Sequence, residues 1–196
     1  MNEAIGHRQI FPCLFGSALK MEGVKELLAF MDAHMQCREY PEEFGARVFK
    51  IVRDEQDNRL TYMKITGGSL KVKAMLTDYH EGMEPSECWQ EKADQIRLYS
   101  GGTYDMVNEV TAGAVCAVTG LSKTFCGQGL GIETEPEQPV LEPVLTYRVI
   151  LPPDCNVHDM YLKLCKLEEE EPQLHIVWDE NLSEIHAQVM GEVQIE

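Results

Sequence analysis

Arg59-Leu-Thr-Tyr-Met-Lys-Ile-Thr-Gly-Gly-Ser-Leu-Lys71 reads as two extended segments joined by a glycine turn. Thr, Tyr, Met and Ile suit a pleated, half-buried surface, and a Gly-Gly pair marks a tight turn or bulge. Upstream, Phe44–Arg53 is rich in β-formers, and the polar Asp54-Glu-Gln-Asp-Asn58 turns it into Leu60–Thr66, a hairpin. Downstream, Ser69–Thr77 extends again. Residues 80–93 are acidic and irregular and read as an inserted loop. Further short strands follow at Asp94–Tyr99, Thr103–Asn108 and Ala114–Val118. Many short strands at close spacing with glycine turns predict a small antiparallel β-barrel over 44–131.

On either side the pattern changes. In residues 1–36, Gln9-Ile-Phe-Pro-Cys-Leu-Phe15 suits a buried parallel strand ending at Gly16-Ser17. Val24, Leu27, Leu28 and Met31 then fall on one stripe of a helix. One strand and one helix cannot close a core, so this segment must pack on something else. Residues 37–43, with Pro41, read as a linker, and residues 132–142, with two prolines, as a second one. In 143–196 a strand at Val144–Leu151 precedes Asn156, a helix cap, with Met160, Leu164 and Leu167 on the stripe. The run Glu168–Glu171 sits at that helix's C-terminus, where carboxylates are unfavourable, and is expected to splay into solvent. A hairpin of Leu174–Trp178 and Ile185–Met190 follows. Strand, helix, strand, strand is the front of a split βαβ, or ferredoxin-like, domain.

Composition narrows the function classes. With 44% hydrophobic and 26% charged residues the chain is globular rather than disordered. No apolar run approaches the ~20 residues that span a bilayer, so no membrane partner is expected. Seven widely spaced cysteines without a C-x-x-C argue against disulfides and zinc and for reduced thiols in a cytoplasmic protein. The net charge of −16 is uneven, with 3 Lys/Arg against 15 Asp/Glu in residues 132–196 and 14 against 18 before them. Such an acidic C-terminal third repels phosphate, while the middle is neutral on this point. No G-x-S-x-G, H-E-x-x-H or G-x-x-x-x-G-K-[ST] occurs, so no independent catalytic site is expected. His175 and His186 could face each other across the last hairpin, but two histidines without a third ligand do not make a metal site.

Phe49-Lys-Ile, Arg59-Leu-Thr-Tyr, Gly68-Ser-Leu-Lys, Ala112-Gly and Val118-Thr-Gly-Leu resemble, in order, the second domain of translational GTPases of the elongation factor G and tetracycline-resistance ribosomal-protection group. Lys73-Ala74 stands where that group has a Gly-Asp turn, Ala114 replaces a common Asp, and the late turn reads Gly127-Gln-Gly-Leu130. These departures favour the ribosomal-protection branch. Ser17-Ala18-Leu19 resembles the last guanine-binding loop, which makes 1–36 the end of a G domain. Gly191–Glu196 resembles the start of the third domain's second helix. The resemblance implies a fragment with no GTP or Mg²⁺ site of its own, since those need the phosphate loop of the intact protein. It also implies a ribosomal partner, small-subunit rRNA reached through the barrel with Lys64, Lys71 and Lys73 as candidate contacts, and no DNA. A free-standing β-barrel interaction module is the alternative.

Overall fold

The computed structural model describes residues 2–35, 38–80, 83–84, 86, 88–134, 136, 143–180 and 182–195. Contacts divide the chain into two units, Met1–Glu39 and Tyr40–Glu196.

In the first unit, α1 (Asn2–Gly6) precedes α2 (Val24–His34). The run Gln9–Phe15 is not the strand its composition predicts. Phe11 is 74% exposed and Phe15 is 96% exposed. Among its described residues the unit contains no sheet for it to join, and a strand without a neighbour cannot satisfy its backbone. The apolar stripe of α2 forms as expected, yet no α2 residue is buried, for the same reason.

The second unit opens with the hairpin of β1 (Gly45–Arg53) and β2 (Arg59–Gly67). Its turn is tied by Asp54, whose carboxylate accepts from the N–H groups of Gln56 (3.0 Å) and Asn58 (2.9 Å) and from Asn58 Nδ2 (3.1 Å). After Gly67-Gly68 come β3 (Ser69–Lys71), β4 (Met75–Thr77), β5 (Gln90–Lys92), β6 (Gln95–Ser100), β7 (Thr103–Val107), β8 (Glu109–Thr111), β9 (Val115–Thr119) and β10 (Gly129–Gly131). Six strands form one antiparallel sheet in the order β10-β1-β2-β9-β6-β7, and the pairs β3-β8 and β4-β5 complete the wall. The stretch 80–93 therefore differs from the expected loop. Residues 81, 82, 85 and 87 lie outside the described ones, but its end is β5, paired with β4. Trp89 and Ala93 flank β5 and enter the core. Gln-Glu-Lys carries no apolar signal, and its pairing is made by backbone groups alone. One cluster fills the barrel, with Val48, Ile51, Met63, Ile65, Leu70, Ile96, Val118, Leu121 and Leu130 at 2% exposure or less.

The expected connection at 132–142 falls largely outside the described residues. Beyond it lie β11 (Leu145–Val149), α3 (Val157–Glu170), β12 (His175–Asp179) and β13 (Glu184–Val189). Asn156 caps α3 through its side-chain oxygen, which accepts from the N–H groups of His158 and Asp159. β13 lies between β11 and β12, antiparallel to both, so β11 and β12 are parallel neighbours once removed. That is the split βαβ arrangement. Ile176, Ile185 and Val189 are its buried residues. Gly191–Glu196 contains a short 3-10 turn, Glu192–Gln194.

Two expectations are corrected here. The register puts His175 opposite Gln188 and His186 opposite Val177, so the histidines do not face each other. Instead His175 lies 3.4 Å from Glu168 and His186 lies 3.2 Å from Glu184. Nor does the glutamate run simply splay into solvent: Glu169 Oε2 accepts from Arg53 Nη2 (3.2 Å) and Arg59 Nε (3.0 Å) of the barrel. Two guanidinium groups offset the unfavourable end of the helix dipole.

Candidate functional site

On the barrel wall, a groove of about 630 Å³ is lined by Gln56, Asn58, Arg59, Lys73, Asp94, Gln95, Arg97, Thr119 and Gly120. The β1–β2 turn supplies its amides, β6 supplies Gln95 and Arg97, and the end of β9 forms the rest. Arg97 is fixed by Asp54 (3.2 Å) and by Gln95 Oε1, which accepts from Nη2 at 3.2 Å. In return, the Asp54 carboxyl is held down to a pKa of about 2, chiefly by the Asn58 side chain and then by the turn's N–H groups and Arg97. Arg59 spends its guanidinium on structure. Nη1 donates to Leu121 O and Thr124 Oγ1, both at 2.8 Å, and Nη2 donates to Thr124 O at 2.5 Å. The groove therefore combines cations already balanced by carboxylates with three side-chain amides. It offers hydrogen bonds and charge for binding, and no nucleophile beside a base.

The three lysines expected to meet phosphate are not brought together. Lys73 lines the groove in a left-handed turn (φ 68°), paired with Asp94 at 2.8 Å. The Lys73 ammonium, through a hydrogen bond and its charge, lowers the Asp94 pKa. Lys71 sits at the end of β3, 3.8 Å from Glu109 and 68% exposed. Lys64 donates from its ammonium to the Gly113 carbonyl.

Ser17, Ala18 and Leu19 lie in a closed turn in the other unit. Ser17 and Glu22 exchange backbone hydrogen bonds at 3.0 and 3.1 Å, and Leu19 projects with 96% exposure. Gly23 permits this closure: its φ is +76°, and a Cβ there would stand 2.6 Å from the Phe15 carbonyl oxygen. Among the described residues, no three His, Cys, Asp or Glu gather as a metal site. No described helix is long and apolar enough to cross a membrane.

Sequence reasoning missed Arg97, Asp54 and Gln95. The alternation Gln95, Arg97, Tyr99 along one face of β6 was available, but the partner Asp54 is separated by forty-odd residues and required the register.

Fold and groove together define an antiparallel barrel with a polar groove in its wall, followed by a split βαβ sheet. No family model matches the chain. It is 25% identical to elongation factor G 2 of Syntrophus aciditrophicus (strain SB), over 100% of this chain and 32% of that protein. It is 28% identical to elongation factor G of Ureaplasma parvum serovar 3, over 96% of this chain and 30% of that protein. A crystal structure of a Thermus thermophilus protein matches the fold with a TM-score of 0.74 at 22% identity, covering 99% of this chain and 30% of that one. The chain is thus similar to elongation factor G over 96–100% of its length, and it spans about a third of the length of the curated relatives it matches. A free-standing barrel module is not favoured by a likeness that runs through all its elements.

Proposed function

We propose that the chain is a stretch of a ribosome-associated translational GTPase of the cytoplasm, in which it supplies docking scaffold rather than chemistry. The observation that carries this reading is the likeness to elongation factor G over 96–100% of the chain, which takes in the barrel and the split βαβ sheet. In this reading residues 1–36 end the G domain, 44–131 are the second domain and 143–196 belong to the third. Ser17, Ala18 and Leu19 form the last guanine-binding loop. The residues described here hold no phosphate loop, so they do not fit a GTP–Mg²⁺ site by themselves. Both ligands belong to the intact protein, where GTP favours the ribosome-bound state and its hydrolysis the released one. The barrel meets small-subunit rRNA. Lys71 and Lys73 are its exposed candidate contacts, each exchanging an exposed carboxylate for a phosphate, an exchange of little cost at a solvated surface. Lys64 contributes charge from a fixed position.

The test is GTP binding and hydrolysis by the intact protein with and without ribosomes, beside this chain alone. Stimulation in the first and none in the second is expected; an intact protein that binds no guanine nucleotide would falsify the reading. The finer assignment is the ribosomal-protection branch, in which the factor dislodges tetracycline. Expression in a drug-sensitive host, scored by tetracycline tolerance, separates it from a translocation factor.

A further inference from the structure

Phe49 of β1, Tyr62 of β2, Tyr99 of β6 and Tyr104 of β7 form a row across the outer face of the six-stranded sheet. Their ring centroids are spaced 6.3, 5.5 and 5.2 Å apart in that order. The row passes over β9 without a ring because Ala117 lies there, opposite Tyr62 on one side and Arg97 on the other. The small side chain at this position leaves room for Tyr62 and Tyr99 to meet above it. Arg97 lies over the Tyr104 ring, 4.6 Å from its centroid, held in place by Asp54 and Gln95.

Cross-strand aromatic pairs stabilise sheets without any ligand. Two observations carry this row further. Its end rings stay open, Phe49 at 49% and Tyr104 at 44% exposure. Cations also lie beside it. The strands of this sheet carry Arg47, Lys50, Arg53, Arg59, Lys64 and Arg97 against Asp105 alone, and Arg47, Arg53, Arg59 and Arg97 are balanced by Glu133, Glu169 and Asp54 from outside the strands. Lys50 is exposed and stands directly opposite Tyr62, and Lys64 lies two residues along the same face. Flat rings beside cations, on strands nearly cleared of carboxylates, complement a ligand with π faces and regularly spaced negative charge. A single-stranded nucleic acid has both. A duplex hides its base faces, and an acidic protein segment would use the cations but leave the rings idle.

We propose that this aromatic ledge binds unpaired RNA, with bases stacked on Phe49 and Tyr104 and phosphates near Lys50. That the strand is RNA rather than DNA rests on the ribosomal reading above. It locates the contact on the outer face of the sheet, away from Lys71 and Lys73.

The experiment is fluorescence anisotropy of this chain with a labelled oligoadenylate of about ten nucleotides in about 50 mM salt, beside an RNA duplex of equal length and heparin. Single-strand binding is expected, weakened about tenfold by Phe49→Leu or Tyr104→Leu and retained in Tyr104→Phe. Lys50→Gln should reduce the salt slope by about 0.7. Tryptophan fluorescence in a denaturant series, read from Trp89 alone in a Trp178→Phe background, checks that the barrel of each variant is folded. Absent binding, ring variants that bind like the wild type, or equal affinity for duplex and heparin would each overturn the ledge. Ribosome-stimulated GTP hydrolysis by the intact protein separates the two readings. Stimulation without single-strand binding overturns the ledge alone; single-strand binding without stimulation supports the ledge and overturns the GTPase reading.

Discussion

Asp54 closes the β1–β2 turn with three accepted hydrogen bonds and reaches Arg97 on a distant strand. Its pKa falls from the ordinary 3.8 to about 2, chiefly through the Asn58 side chain. The folded chain therefore holds the ionised form more tightly than the unfolded one. The stability this supplies is complete above pH 3.8 and is lost as pH falls through about 2. Thermal melts between those limits should show an acid-side decline that Asp54→Asn flattens; an unchanged decline would assign it to other carboxylates. The cysteines divide by environment as well. Cys116 is buried in the barrel core, which pushes its thiol up to about 12, whereas Cys13 is exposed. A disulfide reagent should label Cys13 in native protein within minutes and reach Cys116 only on unfolding. Fast labelling of Cys116 would mean that β9 opens locally. Much of this was legible in part: the Asp54–Asn58 turn was readable from composition, but the partner of Asp54 was not.

Elements were legible where they were long enough to show a period. β1, β2 and α3 appear within a residue or two of their expected bounds, because alternation over nine residues or a capped stripe of fourteen is a strong local signal. The three-residue strands β5, β8 and β10 were not legible, since three residues hold no period and their pairing is a property of the partner strand. Gln9–Phe15 failed in the opposite sense: its composition is that of a buried strand, but burial needs a second layer that its own unit does not provide. β10 depends instead on glycine. Gly131 has φ +67°, and a Cβ there would stand 2.1 Å from the Phe44 carbonyl oxygen. It pairs with Gly45 at the start of β1, where the sheet reaches its edge. Gly131→Ala should cost at least about 1–2 kcal/mol from the left-handed backbone alone, with more from the clash. Urea denaturation checks this. A loss well below that range would show that the Gly131 edge relaxes freely.

At the scale of the molecule, the barrel and the split βαβ sheet are joined by charge. Glu169 near the end of α3 bridges Arg53 and Arg59, and Lys166, one helical turn's step away, pairs with Asp57 of the β1–β2 turn at 2.8 Å. The order of the two modules was readable from the sequence, but this contact was not: a glutamate run at a helix C-terminus signals solvent until two arginines on another module are known to lie beside it. Because Glu169, Lys166 and Asp57 are exposed, these pairs are screened by salt, with a Debye length of about 3 Å at 1 M. The coupling they provide is therefore modest and can be tuned. The chain carries a reporter on each side: Trp89 is buried in the barrel core, and Trp178 of β12 packs against Tyr161 of α3 at 6.0 Å. With each tryptophan kept alone through Trp178→Phe or Trp89→Phe, the two fluorescence transitions in urea should coincide at low salt. Glu169→Arg places a third cation beside Arg53 and Arg59 and reverses the attraction. The Trp178 transition should then move to lower urea while that of Trp89 changes little, and 1 M salt should narrow the gap by screening the repulsion. Transitions that remain coincident in the variant would mean that apolar contact, not charge, holds α3 to the barrel.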